Sequence, residues 1–358
     1  MKKDAGLQSF VSGIQQIGIG VADAAQSFAW FRKAFGMDVP IFDDSGEAPY
    51  MTRYTGGTVH SRRAILAASL AGGSALEIWQ YTSRTPEGPS FAPALGDLGI
   101  FAARIKAPDV RRAYAELLRR GIPLLGAPAR SPDGGERFFL SGPSGAIFEV
   151  AGGEDWFSAD RAVTGGVAGC IIGSSDIDRS VRLYSELLGF TDLLYDESGT
   201  FEDLRPLPGG SARVRRVMLR RTLPLLGAFG GLFGRSTVEL VQSLDRSPRT
   251  LFEDRLWGDL GFIHLCLDVS GIGELLKRCE AAGFRATADS GSSFDMGQAA
   301  GRFAYIEDPD GTLIEFVETH RIPIMKKIGL YLNLGRRDAR RPLPRWMIKL
   351  LALGRVRD

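Results

Sequence analysis

The chain has 358 residues, of which 44% are hydrophobic and 24% are charged, a length and composition typical of a soluble globular protein with two domains. No apolar run approaches the roughly 18 residues of a transmembrane helix, and the N-terminus leads into no apolar signal region, so the sequence predicts neither a membrane span nor a secretory signal. Three cysteines without a CxxC pair indicate neither a disulfide framework nor a structural zinc site. We therefore expect a cytoplasmic protein.

The net charge of +2 conceals an uneven distribution. Residues 321–358 contain eleven Lys and Arg and two Asp, a local charge of +9, which leaves 33 basic and 40 acidic residues and a charge of −7 in the rest of the chain. A basic tail can bind an anionic membrane, a nucleic acid or the acidic body of its own protein, and charge alone does not choose among these.

Internal repeats organise the chain. Three pairs of segments align: residues 16–37 on 169–190, 95–122 on 257–284, and 141–150 on 307–316. The sequence therefore predicts a duplication with two domains, over residues 10–155 and 162–320, followed by a basic tail over residues 321–358.

Each half repeats one local pattern. It starts with a strand of alternating apolar residues, such as Ile17, Ile19 and Val21. An amphipathic helix follows, such as Ser27–Ala34, and ends near a glycine, such as Gly36. Short strands separated by Gly and Pro turns come next, and the last of these in each quarter is expected over residues 75–80, 146–150, 237–242 and 312–317. Four copies of a βαβββ module are the simplest interpretation, which gives an α+β protein with curved sheets.

The openings QIGIGVAD…FRKAFGM and the closing YIEDPDGTLIEF resemble the vicinal oxygen chelate superfamily. This group contains glyoxalase I, methylmalonyl-CoA epimerase, extradiol dioxygenases, and bleomycin- and fosfomycin-resistance proteins. The resemblance extends over about residues 10–318 and implies four modules that form two cup-shaped sheets. It also implies a divalent metal ion inside a cup, held by the first and last strands of two modules.

The resemblance assigns one ligand position to each of these strands. The positions hold Gln16 and Glu77 in module one, Ala102 and Glu149 in module two, Gly169 and Glu239 in module three, and His264 and Glu315 in module four. Cups built from consecutive modules would each contain a residue that cannot bind metal. Pairing module one with module four instead unites Gln16, Glu77, His264 and Glu315, which is also the set implied by glyoxalase I. We therefore expect this crossed pairing.

One imidazole and three oxygen donors suit one divalent ion, which can be Zn, Ni, Co, Mn or Fe(II). Such an ion would polarise a substrate carbonyl, and a glutamate beside it could transfer a proton. Glu315 is the first candidate for this catalytic role and Glu77 the second. Glu149 and Glu239 recur in the other cup, however, so the alternative is that this glutamate serves the fold, for example by pairing with an arginine.

Departures from the family pattern narrow the substrate. Glyoxalase I places arginines where this chain has Gly20 and Leu260, and an asparagine where it has Tyr81, so glutathione hemithioacetal is not expected. A dioxygenase needs two histidines and a carboxylate. Gln16 occupies the place of one of those histidines, and other histidines occur only at residues 60 and 320.

Other segments carry weaker signals. His60, Arg62 and Arg63 are candidates for binding an anionic substrate, against the alternative that they are simply solvated. Arg215 and Arg216 occupy the corresponding strand of module three. The Gly-rich segment 224–236 suggests either a lid over a pocket or a flexible loop, and segment 289–301 is a second candidate loop.

The tail has apolar residues near helical spacing over 322–334 and 343–356, which predicts two short helices around a Pro-rich break. Trp346, Met347, Leu350 and Leu351 would then share one face. We expect this tail to pack across its own domain or a dimer partner in preference to lying on an anionic membrane. No sequence-reading motif for nucleic acid accompanies its charge.

Together these features predict a metal-dependent lyase or isomerase that moves a proton next to a carbonyl of a small-molecule substrate. A non-catalytic protein that binds a small molecule, as resistance proteins do, is the alternative, and an extradiol-type dioxygenase is a third. Fused modules allow a monomer to build a whole site, so a monomer or a homodimer is expected.

Overall fold

A computed structural model describes residues 9–158, 162–222, 224–291, 294–295, 300–325, 330–334 and 337–357. The strands of the first half are β1 (Phe10–Gly20), β2 (Val39–Glu47), β3 (Ser61–Ala68), β4 (Ala75–Tyr81), β5 (Gly99–Ala107), β6 (Ala129–Arg130), β7 (Glu136–Ser141) and β8 (Ile147–Gly152). Those of the second half are β9 (Val167–Gly173), β10 (Asp192–Gly199), β11 (Val214–Arg220), β12 (Thr237–Ser243), β13 (Gly261–Ser270), β14 (Ala288–Asp289), β15 (Phe294–Asp295), β16 (Ala300–Glu307), β17 (Leu313–Met325) and β18 (Leu330–Asn333).

The helices are few and short. They are α1 (Ala24–Phe35), α2 (Val110–Arg119), α3 (Ile177–Arg182), α4 (Gly230–Phe233), α5 (Ile272–Ala281) and α6 (Arg345–Lys349). A π turn, Leu183–Leu187, continues α3, and a 3₁₀ turn, Leu350–Gly354, continues α6. None of the helices in the described ranges is long and apolar enough to cross a membrane.

Two curved mixed sheets make up the fold. The described strands form a ten-stranded sheet, ordered β14-β16-β17-β13-β1-β4-β3-β2 with β15 and β18 added on β16 and β17. The second sheet has eight strands, ordered β10-β11-β12-β9-β5-β8-β7-β6. We call their concave faces the first cup and the second cup. The α+β class and the two cup-shaped sheets predicted from the sequence are confirmed.

The sheets do not follow the two halves of the chain. In the first sheet, β1 of module one pairs antiparallel with β13 of module four. In the second, β5 of module two pairs antiparallel with β9 of module three. The crossed pairing of modules is therefore confirmed, while the division into domains at residues 10–155 and 162–320 stays a prediction.

Local sequence explains the helices that cover the sheets. The Asp23 side chain caps α1 by accepting a hydrogen bond from the Gln26 backbone N–H, and Gly36 ends the helix in the left-handed conformation. The buried face of α1 carries Phe31 and Phe35, which pack against Phe148 of β8. These contacts belong to a core that all four modules share, and full burial of one such aromatic side chain stabilises the fold by about 1.5–3 kcal/mol.

The tail differs in part from its prediction. Residues 322–334 were expected to form a helix, but β17 and β18 occupy this stretch as paired strands. The second predicted helix exists as α6 and its 3₁₀ turn. Met347, Leu350 and Leu351, three of the four residues predicted to share a face, pack against a small core around Ile348, whereas the fourth, Trp346, is exposed. The tail thus packs across its own protein.

The Gly-rich segment 224–236 is not a lid in this structure. The Ala228 carbonyl accepts a hydrogen bond from the Leu343 N–H of the tail, and Leu232 and Phe233 are buried. At Gly227, an added Cβ would lie 2.2 Å from the Ser12 hydroxyl, so this loop packs tightly against β1. Segment 289–301, the other candidate loop, includes β15, which pairs with the start of β16, whereas residues 292–293 and 296–299 lie outside the described residues.

The turn between β16 and β17 links two modules. One carboxylate oxygen of Asp308 accepts hydrogen bonds from the backbone N–H groups of Asp310 and Thr312, at 2.9 and 2.8 Å. The other accepts one from the Tyr184 hydroxyl at 3.1 Å. Asp310 in turn accepts a hydrogen bond from the backbone N–H of Ser175 at 2.9 Å. The DPDG closing of module four is thereby fixed to module three.

This buried carboxyl makes stability depend on pH. Burial raises the pKa of Asp308 from 3.8 to about 6, although its N–H donors oppose the shift. The protonated form is therefore favoured in the folded state, so its contribution to stability is complete below about pH 4 and is lost as the pH rises through about 6. Relative to Asp308→Asn, the wild type should lose about 2–3 kcal/mol of unfolding free energy over this range. Urea denaturation at each pH measures this difference, and a constant difference would contradict the prediction.

Candidate metal centre

Three predicted ligands converge at the centre of the first cup. Strands β4, β13 and β17 supply Glu77, His264 and Glu315, whose nearest ligand atoms all lie within 4.8 Å of one another. The Nε2 atom of His264 is 3.3 Å from Oε2 of Glu77 and 3.1 Å from Oε2 of Glu315. The order β17-β13-β1-β4 explains this convergence, because these strands are adjacent in one sheet.

The fourth predicted ligand, Gln16, is buried on β1 between them. Its side-chain Nε2 donates a hydrogen bond to Oε2 of Glu77 at 3.2 Å. A rotation of this amide about its last bond would instead turn its oxygen toward the cluster. The structure therefore brings all four residues to one place.

A glycine on β1 makes room for the imidazole. Gly18 pairs with both Glu77 and His264 in the strand registers. A Cβ added at Gly18 would lie 2.4 Å from the His264 ring, so any other residue would displace the histidine. Gly18 was not among the residues predicted from the sequence, although a glycine inside a strand is a recognised sign of close approach.

The electrostatics of the cluster favour a positive charge. Burial lowers the pKa of His264, but the Glu315 and Glu77 carboxylates outweigh it and raise the pKa to about 9. Within the described chain, Nε2 of His264 and Oε2 of Glu315 are buried without a well-oriented hydrogen-bond partner. Buried polar atoms without partners are costly, and a cation between them would satisfy both. The donor set thus fits a divalent metal ion.

Two further side chains contact the His264 ring and constrain its orientation. Neither was predicted from the sequence. The Tyr305 hydroxyl is 3.4 Å from Nδ1 of His264, on the side away from the carboxylates, as expected of a group that orients a metal-binding imidazole. Burial, reinforced by the Glu315 and Glu77 carboxylates, raises the pKa of Tyr305 well above its ordinary value, so the phenol stays neutral. The Trp257 ring lies parallel to the imidazole, with centroids 6.4 Å apart.

The second cup contains arginines at its centre. Arg104 bonds to Glu149 at 2.8 Å, and Arg137 bonds to Glu239 at 2.7 Å. Arg216 bonds to Glu239 at 2.8 Å and reaches both carboxylate oxygens of Asp203 at 3.0 Å. The alternative role proposed for Glu149 and Glu239, pairing with arginine, is confirmed.

These arginines also explain why the carboxylates stay ionised when buried. Burial alone would raise the pKa of Glu239, but Arg137, Arg216 and Arg104 outweigh it and hold this pKa well below its ordinary value. The first cup has no guanidinium at the equivalent places. By strand register, Cys266 corresponds to Arg104, and Phe303 corresponds to Arg137. Only the first cup therefore leaves its carboxylates available for a metal ion.

A sequence signal for this network existed. Arg104 lies two residues after Ala102 in a strand whose only other charged residue is Lys106, so the alternation of a strand places Arg104 on the same face as the missing ligand. A buried basic residue on that face indicates an ion pair with the glutamate of the neighbouring strand, here Glu149. The contributions of Arg137 and Asp203 depend on strand pairing and could not be read in this way.

The candidate substrate residues lie at the edge of the first cup. Arg62 and Arg63 contact Asp44 and Asp43 of the neighbouring strand β2, both at 2.8 Å, and His60 lies 3.0 Å from the Ser83 hydroxyl. The alternation along β3 places Arg62 on the cup face and Arg63 on the opposite face. Their role in binding substrate stays a prediction.

Comparison with known proteins identifies the family. Residues 13–150 and 166–316 match the Glyoxalase/Bleomycin resistance protein/Dioxygenase superfamily, and these stretches cover more than half of the chain. The chain belongs to this superfamily. Its resemblance to that superfamily, inferred from the sequence, is thus confirmed.

Solved structures of the superfamily agree in fold. Glyoxalase I from Zea mays is 13% identical, with a TM-score of 0.53 over 86% of this chain and 92% of that chain. A putative dioxygenase from Bacillus subtilis is also 13% identical, with a TM-score of 0.56 over 86% of each chain. No curated protein matches the sequence at a significant level. These likenesses establish the fold and leave the activity to the residues of the site.

The arginine network should dominate the stability of the second sheet. Arg216→Gln removes a fully buried partner of two carboxylates and should lower the unfolding free energy by about 3–5 kcal/mol. Its neighbour Arg215 makes partly exposed ion pairs with Asp178 and Asp196, so Arg215→Gln should cost less than about 1 kcal/mol. Urea denaturation of both variants measures the difference, and equal losses would show that the buried network has no special weight.

Proposed function

We propose that this protein binds one divalent metal ion through Gln16, Glu77, His264 and Glu315. The observation that carries the proposal is the convergence of two carboxylates on one buried imidazole nitrogen. The paired carboxylates of the second cup already have guanidinium partners, which limits the stoichiometry to one ion. The mixed nitrogen and oxygen donors suit Zn, Ni, Co, Mn or Fe(II).

Elemental analysis of the purified protein tests the site. The wild type should carry about one equivalent of one of these metals, and His264→Ala should reduce the content to background because it removes the only nitrogen ligand. The chain has three histidines in all, and His60→Ala supplies a matched control that should retain the metal. Metal retained by His264→Ala, or absent from wild type after reconstitution, would refute the site.

For the reaction, we propose a lyase or isomerase that moves a proton on a carbon next to a carbonyl group. A divalent ion bound at the four ligands would act as a Lewis acid that polarises this carbonyl. Glu77 and Glu315 lie at similar distances from the same nitrogen, so both would adjoin a bound substrate, and the carboxylate that takes the proton from the carbon can return the same proton to the neighbouring atom. Buried aromatic residues, including Trp79 and Phe303, form part of the apolar surface around this site.

Glu315 is the better base of the two. Its Oε2 atom has no well-oriented hydrogen-bond donor among the described residues, whereas Oε2 of Glu77 accepts a hydrogen bond from Gln16. Oε2 of Glu315 is therefore the oxygen proposed to take the proton from the substrate and to return it, and Glu77 holds the ligand geometry.

Proton exchange measured by NMR in deuterated water tests these roles, with a panel of small hydroxycarbonyl compounds and thioesters as substrates. Glu315→Gln keeps an oxygen ligand but removes the base, so the exchange rate should fall by about 10²–10⁴. Glu77→Gln should cause a smaller loss. The metal content of each variant is the control, and a metal-loaded Glu315→Gln protein with the wild-type rate would contradict the assignment.

The site favours a substrate without the carboxylates of glutathione. A Cβ added at Gly20 would lie 1.9 Å from the Asp259 carbonyl oxygen, so this position has no room for an arginine. At Tyr81, the hydroxyl donates to the Trp257 backbone carbonyl and serves the packing of the cup. A compact oxygenated small molecule fits these restrictions.

The alternative function is storage of a small ligand without catalysis, and one observation favours it. Apolar side chains, including Phe252, Trp257 and Phe262, line a cavity of about 380 Å³ beside the first cup, which is a space suited to a small apolar ligand. A dioxygenase is not favoured, since the metal-like cluster of the described chain contains one histidine. His320 lies near Glu318 instead.

We place this function in the cytoplasm, since all three cysteines are free and buried, as is usual in a reducing compartment. One chain supplies all four ligands, so a monomer is sufficient and a homodimer would contain two independent sites.

A further inference from the structure

The helical end of the tail has two faces of different character. The inner face packs against the body of the protein through Ile348, which is buried against residues such as Val39 and Leu70. The outer face carries Trp346 and Leu353, whose side chains are 63% and 66% exposed. These two residues are seven positions apart, so they lie on the same side of the helical segment.

Basic side chains accompany the exposed apolar ones. Lys349, three residues after Trp346, is exposed at the border of the outer face and also lines a cavity between the tail and the body, and Arg357 is exposed further along the chain. Neither forms an ion pair with a described carboxylate, unlike Arg355, which pairs with Asp38 at 3.0 Å. The outer face thus combines a large aromatic ring, an aliphatic side chain and positive charges that remain available.

The uneven charge distribution of the molecule favours contact between this face and a negatively charged surface. Residues 321–358 carry a charge of +9, whereas the rest of the chain carries −7. A negatively charged surface would therefore attract the tail and repel the body, and only the tail-first orientation is electrostatically favourable. A second copy of the chain would present the same positive face, so self-association through it is opposed by like-charge repulsion.

We propose that the outer face, formed by Trp346, Lys349, Leu353 and Arg357, docks on an anionic lipid bilayer. Tryptophan is favoured at the boundary between headgroups and acyl chains, and basic residues beside it are attracted to anionic headgroups. The exposed Leu353 favours a lipid surface over a nucleic acid, because an aliphatic side chain adds nothing to contacts with phosphates or bases. With one short helical segment, docking is reversible and peripheral. The proposal is independent of the metal site.

Co-sedimentation of the full chain with lipid vesicles tests the docking. The protein should bind vesicles that contain phosphatidylglycerol, should not bind pure phosphatidylcholine vesicles, and should dissociate as salt is added. Replacing Lys349 with Gln should weaken binding about fivefold, as expected for one basic residue at an anionic surface. Equal binding to both kinds of vesicle, or no binding to either, would overturn the proposal.

A double variant, Trp346→Ser with Leu353→Ser, removes the apolar part of the face and should weaken binding about tenfold or more. The matched control is Leu118→Ser, which changes a residue of α2 that is 58% exposed and should bind like wild type. Because the changed residues are exposed, all variants should keep the wild-type melting temperature.

The wild type and the same variants also test two other binding partners for this face, a second copy of the chain and a nucleic acid. Wild type that is dimeric by sedimentation velocity and monomeric in the double variant, without vesicle binding, would assign the face to a second copy and overturn the proposal. Retention on duplex DNA with no retention on anionic vesicles would likewise replace lipid by nucleic acid. Vesicle binding unchanged in both the Lys349→Gln and the double variants would show that another surface is responsible.

Discussion

The antiparallel pairing of β1 with β13 is the contact on which the arrangement of the site depends. It joins the first strand of the chain's first module to the first strand of its last module, and places the four candidate ligands on adjacent strands of one sheet. Without this pairing, Gln16 and Glu77 would face a different pair of residues. The same choice forces modules two and three to pair with each other, so one contact determines the composition of both cups.

The two cups compensate the charge of their buried glutamates in different ways. The third residue of the last strand of every module is a glutamate whose side chain lies in a largely desolvated interior, where a carboxylate needs a cation. In the second cup, Arg104, Arg137 and Arg216 provide that charge permanently and lock the surrounding strands together. In the first cup, the equivalent space is left to an imidazole and apolar groups. After duplication, the carboxylates of the second cup therefore stabilise the fold through arginines, whereas those of the first cup remain available for chemistry.

The sequence predicted most of this architecture, because internal repeats reveal modules and strand alternation reveals which residues share a face. The four ligand positions were implied by the resemblance to the superfamily, and the crossed pairing followed from comparing the residues that the modules hold at those positions. The arginine network was only half foreseen, since Arg137 and Asp203 come together through packing across strands. A helix was predicted over 322–334, but residues 322–325 and 330–333 belong to the paired strands β17 and β18; a basic segment with spaced apolar residues suits both structures, and strand pairing decided between them.

Nesting of the modules also imposes an order on synthesis and folding. The second sheet, β5 to β12, is complete once β12 has been synthesised. The first sheet can be completed only after β13 and the strands that follow it. Strand β1, made first, thus lacks its antiparallel partner until most of the chain exists. Such distant pairings slow folding and leave an unpaired edge exposed in the meantime. The feature that assembles the site is therefore also the step at which the nascent chain is most vulnerable to aggregation.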